Sequence, residues 1–209
     1  MTTLLLASRN AHKTREFTQL LGPDFFIADL TSRPTVPETI EFGRTFEENA
    51  AIKAVAISRI FPAELVFADD SGLEVKVLGG APGIYSARYA GEHATDKENM
   101  EKLVREVRRA QISGTAGQDD KSALSQARFR CVIALARNAE LVARLSGDVS
   151  GFIISSGRGA NGFGYDPIFV PRGYDQTFAQ LPAKLKNRIS HRACAARKLS
   201  AFVKAALRE

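Results

Sequence analysis

The chain has 209 residues, 44% hydrophobic and 25% charged, with a net charge of +6. It is long enough to bury a sizeable core in one domain, residues 1–209, and no apolar run approaches the roughly 18 residues of a membrane span. The start Met1-Thr-Thr-Leu-Leu-Leu-Ala7 lacks the basic region and long apolar stretch of a secretion signal, so a soluble, cytoplasmic protein is expected.

In chain order, residues 3–7 read as a short buried strand, followed by Ser-Arg-Asn and a helix over residues 11–21 with Phe17, Leu20 and Leu21 inward. Thr45-Phe-Glu-Glu48 is a capping box that opens a helix to about Ile60, and Pro62 breaks the chain after it. Residues 65–68 form an apolar strand that runs into Asp69 and Asp70 and then a Ser-Gly turn. Thr95 to Glu98 repeats the capping box before Met100, Leu103, Val104 and Val107.

Residues 112–127 are polar and aperiodic and read as a mobile loop. Residues 129–136 and 140–145 predict a hairpin, and residues 151–155 continue the sheet. Residues 189–207 predict a closing helix with Ser190 as N-cap and Ala193, Leu199, Phe202, Val203 and Ala206 on the buried face. Cys131 and Cys194 lack metal-ligand spacing and read as buried reduced thiols. The pattern is that of an α/β protein with a long, partly mixed sheet.

The Asp69-Asp70 pair carries the most chemistry, because adjacent carboxylates repel and stay ionised only beside a cation or a basic partner. A polar turn is the competing reading. Ser8-Arg-Asn-Ala-His-Lys13 with Glu16 sits at a strand-to-helix junction, where free amides and a lysine one turn in suit a phosphate; a capped surface helix is the alternative. Gly157-Arg-Gly-Ala-Asn-Gly162 matches G-x-G-x-x-G, but Pro167 and a following strand exclude a dinucleotide fold there. What remains is a pliant loop carrying Phe163 and Tyr165, either as stacking faces for a base or as core aromatics.

Lys186-Asn-Arg-Ile-Ser-His-Arg192 places three cations and an imidazole at a helix start, an arrangement disfavoured by the helix dipole unless an anion binds. The basic excess is confined to this end of the chain. From Lys184 onward there are eight Lys or Arg against Glu209 alone, and the remainder carries 21 bases against 22 acids. Aromatics are not interleaved with the basic residues, which argues against a single-strand nucleic-acid platform.

Ser8-x-Asn10-x-x-Lys13-x-x-Glu16, Thr45-Phe-x-Glu-Asn-Ala50 with Lys53, Ala68-Asp-Asp-Ser-Gly72, the run from Leu78-Gly-Gly-Ala-Pro-Gly to Tyr89, Phe163-Gly-Tyr-Asp-Pro-Ile-Phe169 and Ile189-Ser-His-Arg192 occur in order along nearly the whole chain. Together they resemble the inosine triphosphate pyrophosphatase family, the non-canonical purine nucleoside triphosphate pyrophosphatases also called Ham1-like or RdgB-like proteins.

The resemblance implies a long mixed sheet flanked by helices, in two lobes with the active site in the cleft between them, and a homodimer. It implies Mg²⁺-dependent hydrolysis of ITP, dITP, XTP and dXTP to monophosphate and pyrophosphate, clearing them before incorporation into DNA or RNA. Carried over by position, Asp70 is the general base and a metal ligand, with Asp69 and Glu41 as the other metal-site acids. Ser8, Arg9, Asn10, Ala11, His12, Lys13 and Lys53 hold the triphosphate, and Ser71 touches substrate. Phe163, Gly164, Tyr165, Asp166, Lys186, His191 and Arg192 hold the nucleotide. Base chemistry separately suggests His191 and Arg192 as donors to a 6-oxo group, which adenine lacks.

Arg9 and His12 stand where many relatives have glycine, and Thr39-Ile-Glu-Phe-Gly lacks a second acid beside Glu41. The resemblance implies neither a membrane nor a nucleic-acid partner. A Maf-like pyrophosphatase and a nucleic-acid-binding protein using the basic terminus are the rivals, separable by a substrate panel and by salt-sensitive binding that survives loss of Asp70.

Overall fold

The structure, a computed structural model, describes residues 1–113 and 123–207. Eleven helices and strands follow one another as β1 (Thr2–Leu6), α1 (Ala11–Leu21), β2 (Phe25–Asp29), α2 (Phe46–Ile60), β3 (Val66–Val75), α3 (Asp96–Ser113), β4 (Ala123–Arg137), β5 (Glu140–Ile154), β6 (Phe169–Pro171), α4 (Ala183–Ile189) and α5 (His191–Ala206), with short 3₁₀ turns between some of them. The strands form one six-stranded sheet in the order β2-β1-β3-β4-β5-β6. β1 runs parallel to β2 and β3, and β6 antiparallel to β5, so the sheet is mixed as expected. Among the described residues no helix is long and apolar enough to cross a membrane.

The chain divides into two compact units: residues 1–70, 131–147 and 191–209, and residues 71–130 and 148–190. In the first, the apolar run Leu4 to Leu6 is completely buried, and Phe17 and Leu21 of α1 pack on it with Phe67, Ile133, Leu135 and Leu199. Phe17 meets Phe67 edge-on at 5.1 Å between ring centroids, the geometry that ring quadrupoles favour. In the second unit Leu73, Leu103, Val107, Phe129, Phe169 and Phe178 make a separate core, with Phe129 and Phe169 at 4.7 Å.

Several elements differ from expectation. β3 does not end at Ala68: the strand carries on through Asp69, Asp70, Ser71 and Gly72 to Val75, so Ser71-Gly72 is not a turn. Continued apolar alternation at Leu73 and Val75, both fully buried, extends it. The hairpin arms reach 15 residues each and absorb the separate strand expected at residues 151–155. Their two-residue loop, Asn138-Ala139, takes positive φ at both positions, as a tight hairpin requires.

The loop expected over residues 112–127 is partly regular, since Ile112 and Ser113 close α3 and residues 123–127 open β4; the residues between lie outside those described. The closing helix begins one residue after Ser190, and a short helix, α4, precedes it. Ala193, Leu199 and Val203 are buried as expected, whereas Phe202 and Ala206 are exposed. Cys131 is buried, but Cys194 is only half-buried.

Candidate functional site

The residues singled out by sequence fall into two groups, one in each unit. The first is built on β3. Successive side chains of a strand point to opposite faces, and the two aspartates accordingly have different neighbours. Asp69 receives the Lys13 ammonium of α1 at 2.8 Å and the Arg192 Nη2 of α5 at 3.4 Å. Arg192 also binds Glu16, one turn after Lys13 on α1. Asp70 instead accepts a hydrogen bond from Asn49 Nδ2 of α2 at 3.1 Å and lies 3.9 Å from Lys53 Nζ. Lys53, one turn after Asn49, also contacts Glu41 at 3.0 Å.

The two environments push the carboxyls apart. Burial favours the neutral form of Asp69, but Lys13, Arg192 and Lys53 outweigh it and hold the group well below the usual carboxylate range. Asp70 moves the other way: burial raises its pKa, Lys53 pulls it down, and Glu41 pushes it up again. Lys53 is held cationic above its ordinary value, because the charges of Asp70, Asp69 and Glu41 exceed the effect of its own burial. Adjacent carboxyls with opposed shifts are the pattern of a permanent anion beside a proton acceptor.

Asp69, Asp70 and Glu41 therefore do not gather as one donor set. Among the described residues no group of three or more His, Cys, Asp or Glu is placed to hold a metal. Asp69 faces two cations. Asp70 and Glu41 share Lys53 and together offer the one or two carboxylates that Mg²⁺ takes.

The Ser8 to Lys13 junction forms where expected, but several of its amides are already engaged within the turn. Asn10 caps α1, its side-chain oxygen accepting from the His12 and Lys13 N–H groups at 2.9 and 3.2 Å, and Ser8 Oγ accepts from Asn10 N–H at 3.1 Å. Arg9 turns its guanidinium to the Val36 carbonyl, while Ala11 and His12 are exposed. His191, buried, opens α5 beside Arg192.

The second group occupies the loop before β6. Gly162 takes φ +80°, and a Cβ there would lie 2.0 Å from Asp166 Oδ2, so the backbone can wrap this carboxylate only without a side chain. Asp166 accepts the Phe163 N–H at 3.0 Å and the Lys186 ammonium at 2.5 Å. Gly164 N–H donates to Asp96 at the start of α3, at 2.6 Å. The two aromatics separate. Tyr165 is a core residue, 4% exposed, whose hydroxyl donates to the Ser86 carbonyl at 2.8 Å. Phe163 is 39% exposed, with the Lys186 ammonium 5.3 Å from its ring centroid. Ser71, half-buried, follows Asp70 on β3.

Sequence reasoning assigned no role to Asn49, Asp96 or Ser86. The spacing of Asn49 and Lys53, four apart on α2, was a usable signal. No local signal linked Asp96 to Gly164. The basic terminus is in part neutralised: Lys186, Arg192 and Lys204 each pair with an acid, and Lys198 donates to the Ser146 carbonyl. That removes much of the free charge a nucleic-acid surface would need.

An α/β protein that sets lysines around two dissimilar buried carboxylates is suited to an anionic substrate and proton transfer. The family model of the Ham1 family matches residues 4–202, and the chain belongs to that family. It is 44% identical over 204 residues to a dITP/XTP pyrophosphatase of Bacillus licheniformis, covering 97% of this chain and 98% of that one. It is 40% identical to a dITP/XTP pyrophosphatase of Bacillus subtilis over 98% of both chains. Its fold is similar to the solved Ham1 protein of Staphylococcus aureus, with a TM-score of 0.81, 39% identity, and 98% and 99% of the two chains covered. The HAM1 protein of Coxiella burnetii is similar with a TM-score of 0.83, 38% identity, and 98% and 100% covered.

Proposed function

We propose that this protein hydrolyses non-canonical purine nucleoside triphosphates, dITP and XTP first among them and ITP and dXTP with them, to monophosphate and pyrophosphate. The names of its relatives support the substrate class. The observation that carries the chemistry is the opposed setting of two adjacent carboxyls, with Asp69 locked as an anion and Asp70 raised toward proton uptake.

In this reading Asp70 takes the proton of the water that attacks the α-phosphorus. Lys53 and Lys13 meet the charge that develops on the phosphate oxygens, at positions fixed by Glu41, Asp70 and Asp69 before substrate arrives. Ser8 to Lys13 line the triphosphate, with the Asn10 cap holding the turn. Asp70 and Glu41 would hold Mg²⁺, which when bound supplies charge neutralisation and polarises the attacking water. Asp69 supports the site through Lys13 instead of coordinating. Phe163 offers an exposed ring for the purine, and Lys186, Gly164, Tyr165, Asp166 and Ser71 complete the nucleotide contacts. Both terminal nitrogens of Arg192 are engaged by Glu16 and Asp69, so its role here is to hold Asp69, and reading of the 6-oxo group falls to His191. The resemblance extends the proposal to one domain spanning the chain, working as a homodimer in the cytoplasm.

The test is pyrophosphate release from dITP, XTP, ITP, ATP and GTP with Mg²⁺, for the wild type and Asp70→Asn in parallel. Preference for the oxopurine substrates over ATP and GTP, lost in the variant, is the expected result. Equal rates on ATP and GTP would overturn the substrate assignment, and an unaffected variant would overturn the base.

A further inference from the structure

Residues 33–45, which carry Glu41, contain no helix or strand. Something other than backbone pairing must hold Glu41 at its distance from Asp70. Lys53 bridges the two electrostatically, but an ammonium on a flexible stem fixes charge better than spacing.

Asn49 supplies the missing constraint. It is 1% exposed, and each end of its amide has a partner of fixed polarity. Gly43 N–H, two residues after Glu41, can only donate, and it donates to Asn49 Oδ1 at 2.9 Å. The other end of the amide is therefore the nitrogen, and it donates to Asp70 Oδ2 at 3.1 Å. The contact with the loop is close: a Cβ on Gly43 would lie 2.5 Å from Asn49 Oδ1, 2.7 Å from Glu48 Cβ and 2.9 Å from Asn49 N. Residue 43 accordingly has to be glycine for the loop to press onto the first turn of α2. Arg44 N–H donates to Glu48 at 2.6 Å and fixes the same edge.

We propose that Asn49 is a positioning residue that sets the separation of the Asp70 and Glu41 carboxylates, bonding Asp70 through its amide nitrogen and the Glu41 loop through its amide oxygen at Gly43. With Oδ2 engaged by Asn49, Asp70 turns Oδ1 toward Lys53, 3.9 Å from that ammonium. The inference rests on the proposed pyrophosphatase reading for the reaction it serves, but the tether itself can be measured without turnover.

The experiment combines dITP kinetics with hydrogen exchange of the Gly43 amide, followed by NMR, in the wild type, Asn49→Ala and Gly43→Ala. Asn49→Ala should lower kcat about 10- to 100-fold, the usual effect of removing a group that orients a ligating or reacting carboxylate. KM should stay within about threefold, since Asn49 is not among the proposed substrate contacts, and the Gly43 amide should exchange faster than in the wild type. Gly43→Ala, which displaces the loop while leaving the Asn49–Asp70 bond, should reproduce the kcat loss, and it carries the kinetic test if Asn49→Ala does not fold. A folded Asn49→Ala with wild-type kcat, or an amide as protected as before, overturns the proposal, as does a Gly43→Ala variant of unchanged kcat. If the wild type releases no pyrophosphate from any oxopurine triphosphate, the functional reading fails on its own, and the amide exchange still decides whether Asn49 tethers the loop.

Discussion

Asp69 in the first unit and Phe163 in the second are held by different physical means. In the first, Asp69 and Arg192 are almost entirely removed from water, and each is fixed by charges of opposite sign. In the second, Asp166 is likewise paired with a cation, Lys186, but Phe163 stands partly in solvent on a loop whose backbone N–H groups donate to Asp166 and Asp96. Breaking one partner of a buried ion pair leaves an uncompensated charge in a poor solvent, so the first arrangement is stiff and fails abruptly. Loss of one ordinary hydrogen bond costs about 0.5–1.5 kcal/mol, so the second loosens by degrees. Under the proposed function that division is useful: proton transfer needs fixed geometry, whereas a ring that stacks on a base needs exposure.

The sharpest break in the comparison is chemical. Asp70→Asn keeps the shape of the first unit but removes the proposed proton acceptor, and turnover of dITP should fall about 10²- to 10⁴-fold by pyrophosphate release. A smaller loss would move the base elsewhere. Next comes the ion cluster itself. Arg192→Ala leaves Asp69 and Glu16 without their shared cation and should destabilise the protein by about 3–5 kcal/mol, read from the urea midpoint. A loss under about 1 kcal/mol would mean that Lys13 alone suffices to hold Asp69.

Phe163→Ala tests the other side. It should raise KM for dITP about tenfold, in keeping with the roughly 1–3 kcal/mol that a stacked base contributes, and shift the urea midpoint very little. A change in stability comparable to that of Arg192→Ala would erase the contrast between the two units.

The smallest effect is alkaline. Burial, then the charges of Tyr89 and Asp96, pushes the Tyr165 phenol above its ordinary value, while an unfolded tyrosine ionises near about 10. The folded protein thus keeps its proton where the unfolded chain loses it. Stability from this source is complete below about pH 10 and falls as the pH rises from there through the higher folded value. Tyr165→Phe should flatten this share of the slope and cost about 1 kcal/mol at neutral pH, from the lost bond to the Ser86 carbonyl. An unchanged slope between about pH 8 and about pH 11 would assign it to Tyr89, whose phenol is also raised by burial and by Glu106.

Local rules made much of the fold legible. α1 and α2 lie where periodicity and the Thr45 cap put them, because side-chain spacing and capping are properties of a few consecutive residues. α4 escaped notice because seven residues are too few for a periodic signal. The end of β3 was misjudged for a related reason: Asp, Asp, Ser and Gly favour turns in short peptides, and only packing of Leu73 and Val75 into the second core keeps them extended.

The sequence by itself determined the apolar segments, the caps, the adjacent acids and the family motifs, since each is written in neighbouring residues. Tertiary structure decided which charge meets which. Asp69 and Arg192 are 123 positions apart, and Glu16 and Arg192 are 176 apart. Contacts of that range follow from how strands and helices stack, not from any local pattern. Strand alternation then sent two neighbouring aspartates to opposite faces, and burial among different partners lowered the pKa of one and raised that of the other.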